Sequence, residues 1–242
     1  GGVERIYVQR KVYDEFMGYL KTGIESMRIG YDTDFEVDMG AMATKRQMDA
    51  VNAHIQDALK KGAKIFAQKN PPSNLKGQFL PCTVLTDVNH DMLVMRDETF
   101  GPVVGVMPYD KIEEAIELAN DSNLGLTGSV WSKKHGKAIK IARKIRAGAM
   151  TINDHLMSHG LAETPWGGFK ESGIGRTHGD IGFAEMTEPQ VIVNDILPFV
   201  RKNFWWQPYT PTVYKGLIGV AEVLYGKGIF TRIKGTVKLL KA

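Results

Sequence analysis

The chain has 242 residues, 43% of them hydrophobic and 24% charged, with 31 Lys and Arg against 27 Asp and Glu. That is material for one or two globular domains with a substantial core. One cysteine excludes an intrachain disulfide framework, and no run approaches the roughly 18 consecutive apolar residues of a membrane span, so a cytoplasmic protein is expected. The charge is uneven. Residues 201–242 hold eight Lys or Arg against the single acid Glu222, a balance of +7, which leaves −3 for the preceding 200 residues. Any affinity for a polyanion therefore concerns the tail and not the whole surface. The opening GGVERIYVQR lacks an initiator methionine and any signal or transit layout, and reads as a cut into a core strand.

In chain order, residues 3–8 alternate with β-branched and aromatic side chains and predict a strand. A helix follows with Val12, Phe16, Leu20, Ile24 and Met27 at three-to-four spacing. After the loop GYDTDFEVDMGAM, a second helix is expected from about Thr44 to Lys61, ended by Gly62 before a strand over Ala63–Ala67. Thr83–Val88 and Val103–Met107 are further strands, and Asp110 with Glu113 three residues on is the pattern of a capping box for a helix through Asn120. Gly128–Trp131 is a strand, His135–Arg146 a helix, and Ala149–Ile152 a strand. This order predicts a mixed α/β fold, a layered sheet with crossover helices on its faces.

Residues 160–182 contain seven glycines. A phosphate-cradling loop is one reading, but Gly173-Ile-Gly175 has neither a following Lys-Ser/Thr nor a clean leading strand, so a structural connection is favoured. His155 and His159 lie four apart beside Asp154, with His178 further on. Between a strand and a Gly/Pro loop they lack the helix a His-x-x-x-His metal site needs, and loop or pocket-lining roles are favoured over a metal. Cys82 has no evident His partner and reads as a buried structural residue more than as a nucleophile.

Several segments together resemble the C-terminal half of an aldehyde dehydrogenase across about residues 3–194. They are Glu98-Thr-Phe100-Gly-Pro102, the stretch from Leu118 through Asn120 to Gly125, Thr151-Ile-Asn153-Asp, the run from Pro165 through Lys170 to Arg176, and Met186-Thr-Glu188. Small departures are Gly40-Ala41 for the family's usual Gly-Pro, and Cys82 at a proline position. The resemblance implies a partial catalytic domain over 1–185, an oligomerisation strand within 186–196 and a C-terminal extension over 197–242. It implies NAD or NADP as cofactor, with Glu98 bonding the nicotinamide ribose and Phe100 beside the nicotinamide ring. It makes Asn153, His155, Leu156, His159 and Trp166 candidates for the aldehyde pocket, whose make-up favours an apolar or aromatic aldehyde over a dicarboxylic one.

The family's nucleophilic cysteine falls at the residue before Gly1, and its general-base glutamate and nucleotide-binding domain lie further upstream. The resemblance therefore assigns no catalytic residue to this chain and predicts that it is inactive alone, as part of an enzyme that oxidises an aldehyde to an acid through a cysteine thiohemiacetal. A non-catalytic binding or scaffold module that kept the fold is the alternative. The strand-like Pro189–Asn194 resembles the segment through which the family forms dimers or tetramers.

The tail opens with Phe199, Phe204, Trp205, Trp206 and Tyr209 and continues into two expected helices. In the second, Ile229, Ile233, Val237 and Leu240 share a face, with Lys234, Lys238 and Lys241 opposite. An anionic membrane surface and packing against protein are equally weighted partners for that face, and nucleic acid is disfavoured.

Overall fold

The computed structural model describes residues 2–31, 34–194 and 207–241, so the expectations on Phe199, Phe204, Trp205 and Trp206 lie outside the described residues. Two compact units emerge, Gly1–Glu188 and Pro189–Ala242.

In the first unit, β1 (Arg5–Gln9), β2 (Lys64–Lys69), β3 (Cys82–Thr86) and β4 (Val103–Tyr109) form one sheet in the order β1-β4-β3-β2. β1 pairs with β4 and β4 with β3 in parallel, while β2 is antiparallel on β3. Alternation along β3 divides the core between the two faces of the sheet. Val84 packs with Val8, Val106 and Met17 of helix α1 (Arg10–Ser26), whereas Leu85 packs with Val51, Ile55 and Ala58 of α2 (Lys45–Lys60) and with Met92, Val94 and Met95. A fully buried Val or Leu contributes about 1.5–3 kcal/mol, so both helices are held by their apolar faces. The Thr44 hydroxyl caps α2 by accepting the Gln47 N–H at 3.2 Å, and Gly62, at φ +101°, stops it.

The short helix α3 (Leu93–Arg96) lies between β3 and β4. Helix α4 (Ile112–Asn120) starts differently from the expected capping box: the Asp110 carboxylate is turned onto Arg10 at 2.7 Å, and Glu114, not Glu113, accepts the Asp110 N–H at 3.0 Å. A smaller parallel sheet pairs β5 (Thr127–Val130) with β6 (Ala149–Ile152), joined by α5 (His135–Ala142). α5 ends before the expected Arg146, because the Asn120 amide bonds the Lys144 carbonyl and the Arg146 N–H and holds that stretch out of helix. The glycine-rich stretch contains α6 (Gly179–Glu185) and closes by main-chain contact: a Cβ on Gly148 would lie 1.7 Å from the Gly167 carbonyl oxygen.

In the second unit, α7 (Pro211–Tyr225) and α8 (Ile229–Leu240) form an antiparallel helical hairpin, α7 capped by the Thr210 hydroxyl accepting the Val213 N–H. Residues 189–194 pair with no described strand, and Val191, Ile192 and Val193 are exposed.

Candidate active site

The amino-terminal ends of β1, β4, β5 and β6 open on one cleft of about 300 Å³. Residues 2–5 enter β1 there, residues 95–98 and Phe100 precede β4, residues 124–129 lead into β5, and Arg146 and Ala147 lead into β6. Tyr7, Ala119, Ser122, His155 and Ser172 also line the cleft.

The wall ahead of β4 rests on a buried polar residue, Thr99, which is 1% exposed. Its hydroxyl lies 3.0 Å from His54 Nδ1, and its carbonyl accepts from Gln47 Nε2 at 2.6 Å. The Glu4 carboxylate accepts the N–H groups of both Thr99 and Phe100, each at 3.2 Å. Phe100 sits at φ +46°, a conformation that costs a non-glycine residue about 1–3 kcal/mol. The surrounding bonds hold it there. α2 closes on the same turn, since a Cβ on Gly101 would fall 2.3 Å from Val51 Cγ2. With Thr99 turned inward, its neighbours face the cleft. The Glu98 carboxylate is exposed and makes no hydrogen bond among the described residues, and the Phe100 ring is 61% exposed.

The aldehyde-pocket candidates separate. His155 lines this cleft, its Nδ1 3.2 Å from the Ser129 hydroxyl. Asn153, at φ +55°, has its amide on the main chain of Ser132: it donates to the Ser132 carbonyl at 3.1 Å and accepts the Ser132 N–H at 2.8 Å. It lines neither cleft described here, nor does Leu156, which is 79% exposed. Trp166 lines a second cleft of about 330 Å³ between β6 and the loop that follows, with Met150, Ile152, Met157 and Leu161. The His159 ring lies 4.7 Å from Trp166 and 5.2 Å from His178, on the indole's flank. Asp154 anchors this loop. Burial opposes its ionisation, but the N–H groups of Leu156, His155 and Met157 outweigh that and hold its carboxyl below the usual range.

Cys82 sits on β3, 7% exposed, its sulfur 3.4 Å from that of Met27 and 3.9 Å from that of Met39. Burial pushes its thiol up, away from the thiolate a nucleophile requires, and it lines neither cleft. Among the described residues no three His, Cys, Asp or Glu side chains converge as a metal site.

Glu4, Gln47 and His54 are the residues that sequence reasoning missed. His54 carried a signal: it follows Val51 by three positions, toward the inward face of α2, where a polar ring needs a partner. The later motifs fasten the cleft's far wall. Lys170 Nζ donates to the carbonyls of Asn120 at 2.9 Å and Ser122 at 2.6 Å, and the Ser172 hydroxyl accepts the Gly125 N–H at 2.9 Å. Burial, then the nearby Arg146 and Arg5, lower the Lys170 pKa.

The sequence pattern of the Aldehyde dehydrogenase family matches residues 2–192. The chain is 39% identical over 225 residues to a 4,4'-diapolycopene aldehyde oxidase of Methylomonas sp, covering 93% of this chain and 41% of that protein. It is 41% identical over 220 residues to a putative succinate-semialdehyde dehydrogenase [NADP(+)] of Mycolicibacterium smegmatis, covering 87% of this chain and 42% of that one. Among solved structures, betaine aldehyde dehydrogenase of Staphylococcus aureus in complex with NAD+ superposes with a TM-score of 0.72 at 35% identity, over 78% of this chain and 40% of that one. The chain thus spans about two fifths of the length of these relatives. With the matched pattern covering most of its residues and the α/β layers agreeing with solved members, the chain belongs to the aldehyde dehydrogenase family.

Proposed function

We propose that this chain forms part of an NAD(P)+-dependent aldehyde dehydrogenase and supplies the cofactor-side wall of its active site through Glu98 and Phe100. The observation that carries this reading is the unpaired Glu98 carboxylate beside an exposed Phe100 ring, both set by the buried Thr99 turn. The residues fit the cofactor. A carboxylate accepts two ribose hydroxyls, and an aromatic ring limits the motion of a planar heterocycle. NAD(P)+ supplies the hydride acceptor. Glu98 orients the ribose, Phe100 restricts the ring, and Glu4, Gln47 and His54 keep both side chains from moving when the cofactor enters.

The nucleophile of a thiohemiacetal route is not Cys82, which is buried with a raised thiol pKa. It is the only cysteine in these residues, so the 242-residue chain by itself does not turn over. The same observation favours a second reading, a non-catalytic binding module. In the full-length protein, Glu98→Gln is expected to raise the cofactor KM by about tenfold, the worth of one charge-assisted hydrogen bond. An unchanged KM and kcat would overturn the assignment, and a full-length protein with no aldehyde oxidation would leave the binding-module reading.

For the substrate we propose a neutral, apolar aldehyde, as the name of the Methylomonas relative suggests for that protein. The second cleft, where the pocket candidate Trp166 lies, presents Met150, Ile152, Met157 and Leu161 and no Lys or Arg, whereas an anionic aldehyde calls for a cation at its own pocket. The cations Arg5, Arg96 and Arg146 stand in the first cleft, on the Glu98 side. The exposed Val191–Val193 supports a role for 186–196 as a strand that pairs with a second subunit.

A further inference from the structure

We propose that the hairpin of α7 and α8 binds the surface of an anionic lipid bilayer through the outward face of α8, a role that does not depend on the oxidation reading. The two helices meet at their backbones. Gly216, Gly219 and Gly235 are buried, and a Cβ on Gly219 or on Gly235 would lie 2.7 Å from the other's carbonyl oxygen. The hairpin's one acid, Glu222, reaches across to Lys238 at 2.6 Å. Small residues and a paired charge sit at the contact, with Leu217, Ile218, Val220, Val223 and Leu239 half-buried, while one face of α8 turns its large apolar side chains outward. Ile229, Phe230, Ile233, Val237 and Leu240 are 46–85% exposed. At about 100° per residue they fall in one arc, with Arg232 at one edge and Lys234 and Lys241 at the other. The sequence pattern groups Lys238 with Lys234 and Lys241 on the face opposite this arc. The structure turns it onto α7 instead.

Charge selects the occupant. Residues 207–241 hold six Lys or Arg and one Glu, so a second copy of this face would oppose cations to cations. A nucleic acid would satisfy the cations but leave five large apolar side chains in water. An anionic bilayer satisfies both, with phosphates at the edges and acyl chains under the arc. The helices lie on the surface and do not cross: 15 and 12 residues at 1.5 Å each reach about 22 and 18 Å, short of a hydrocarbon core of about 30 Å. No described helix is long and apolar enough to cross a membrane.

The test is co-sedimentation of the full chain with phosphatidylcholine vesicles, with and without about 30% phosphatidylglycerol. Retention is expected on the anionic vesicles and is expected to weaken as salt is raised. Ile233→Glu with Val237→Glu should lower it by more than about tenfold. Far-UV circular dichroism should be unchanged, because neither side chain enters the contact between α7 and α8. Lys234→Gln with Lys241→Gln should weaken retention on the anionic vesicles alone. Absence of retention on either vesicle, or equal retention of the double-Glu protein, overturns the proposal. A double-Glu protein that instead sediments as a smaller species without vesicles assigns the face to a second copy and overturns it as well.

Discussion

Around β3, Val84, Leu85 and Met92 are wholly buried between sheet and helices. Between α7 and α8 the contact is glycine on glycine, and Phe230, Ile233 and Leu240 face outward. The first arrangement draws its stability mainly from apolar area removed from water, and the second more from main-chain proximity, one ion pair and half-buried aliphatic side chains. Water favours the first. The second gains most where the surroundings are themselves apolar, as small-residue helix contacts do.

This contrast breaks first at the sheet. Leu85→Ala is expected to cost the body about 3 kcal/mol in urea unfolding and to leave vesicle retention of the folded protein unchanged. Gly235→Val drives a side chain into the Gly219 carbonyl and should cost the hairpin about 2 kcal/mol. Hydrogen exchange would show this over 211–240, with the body's urea transition in place. A loss shared by both regions would show that the two do not unfold separately.

Glu4→Gln sharpens the comparison within the body, because it weakens a polar clamp without touching the apolar core. About 1 kcal/mol of stability should be lost. The cofactor KM of the full-length protein should rise, since Glu98 and Phe100 lose their fixed turn, and a fall in stability with KM unchanged would reduce Glu4 to a structural role. The smallest effect is at Asp38, whose carboxyl hydrogen bonds from Arg28 bring from its ordinary 3.8 down to about 2. A depressed carboxyl stabilises the fold above pH 3.8 and loses that effect as pH falls through about 2. Both partners are solvent-exposed, so the effect is small. Asp38→Asn should therefore lower the urea midpoint slightly at pH 7 and flatten its fall below pH 3.8.

Much of the body was legible because burial writes periodicity. Val84 and Leu85 serve opposite faces of one sheet, α2 shows its inward stripe, and Thr44 caps it as its hydroxyl requires. α3 was not legible: four residues span barely one turn, too short for a period. α6 was hidden among glycines, and the stop of α5 depends on Asn120, more than 20 residues earlier in the chain. At the candidate site, Glu98 and Phe100 are proposed from resemblance alone. The clamp on Thr99 was invisible because Glu4 and Gln47 meet it across 95 and 52 residues. The spread of Asn153, His155 and Trp166 over different surroundings follows from the loop's turns, which adjacency in sequence does not disclose.

The grip of Lys170 on the carbonyls of Asn120 and Ser122, with Ser172 on Gly125, has one further consequence. These recognisable residues bond to main chain, which is indifferent to the side chains around it, while Leu156 and Met157 of the loop after β6 are exposed. The marks by which the chain is recognised thus rest on main-chain bonds, which tolerate change in the exposed side chains beside them.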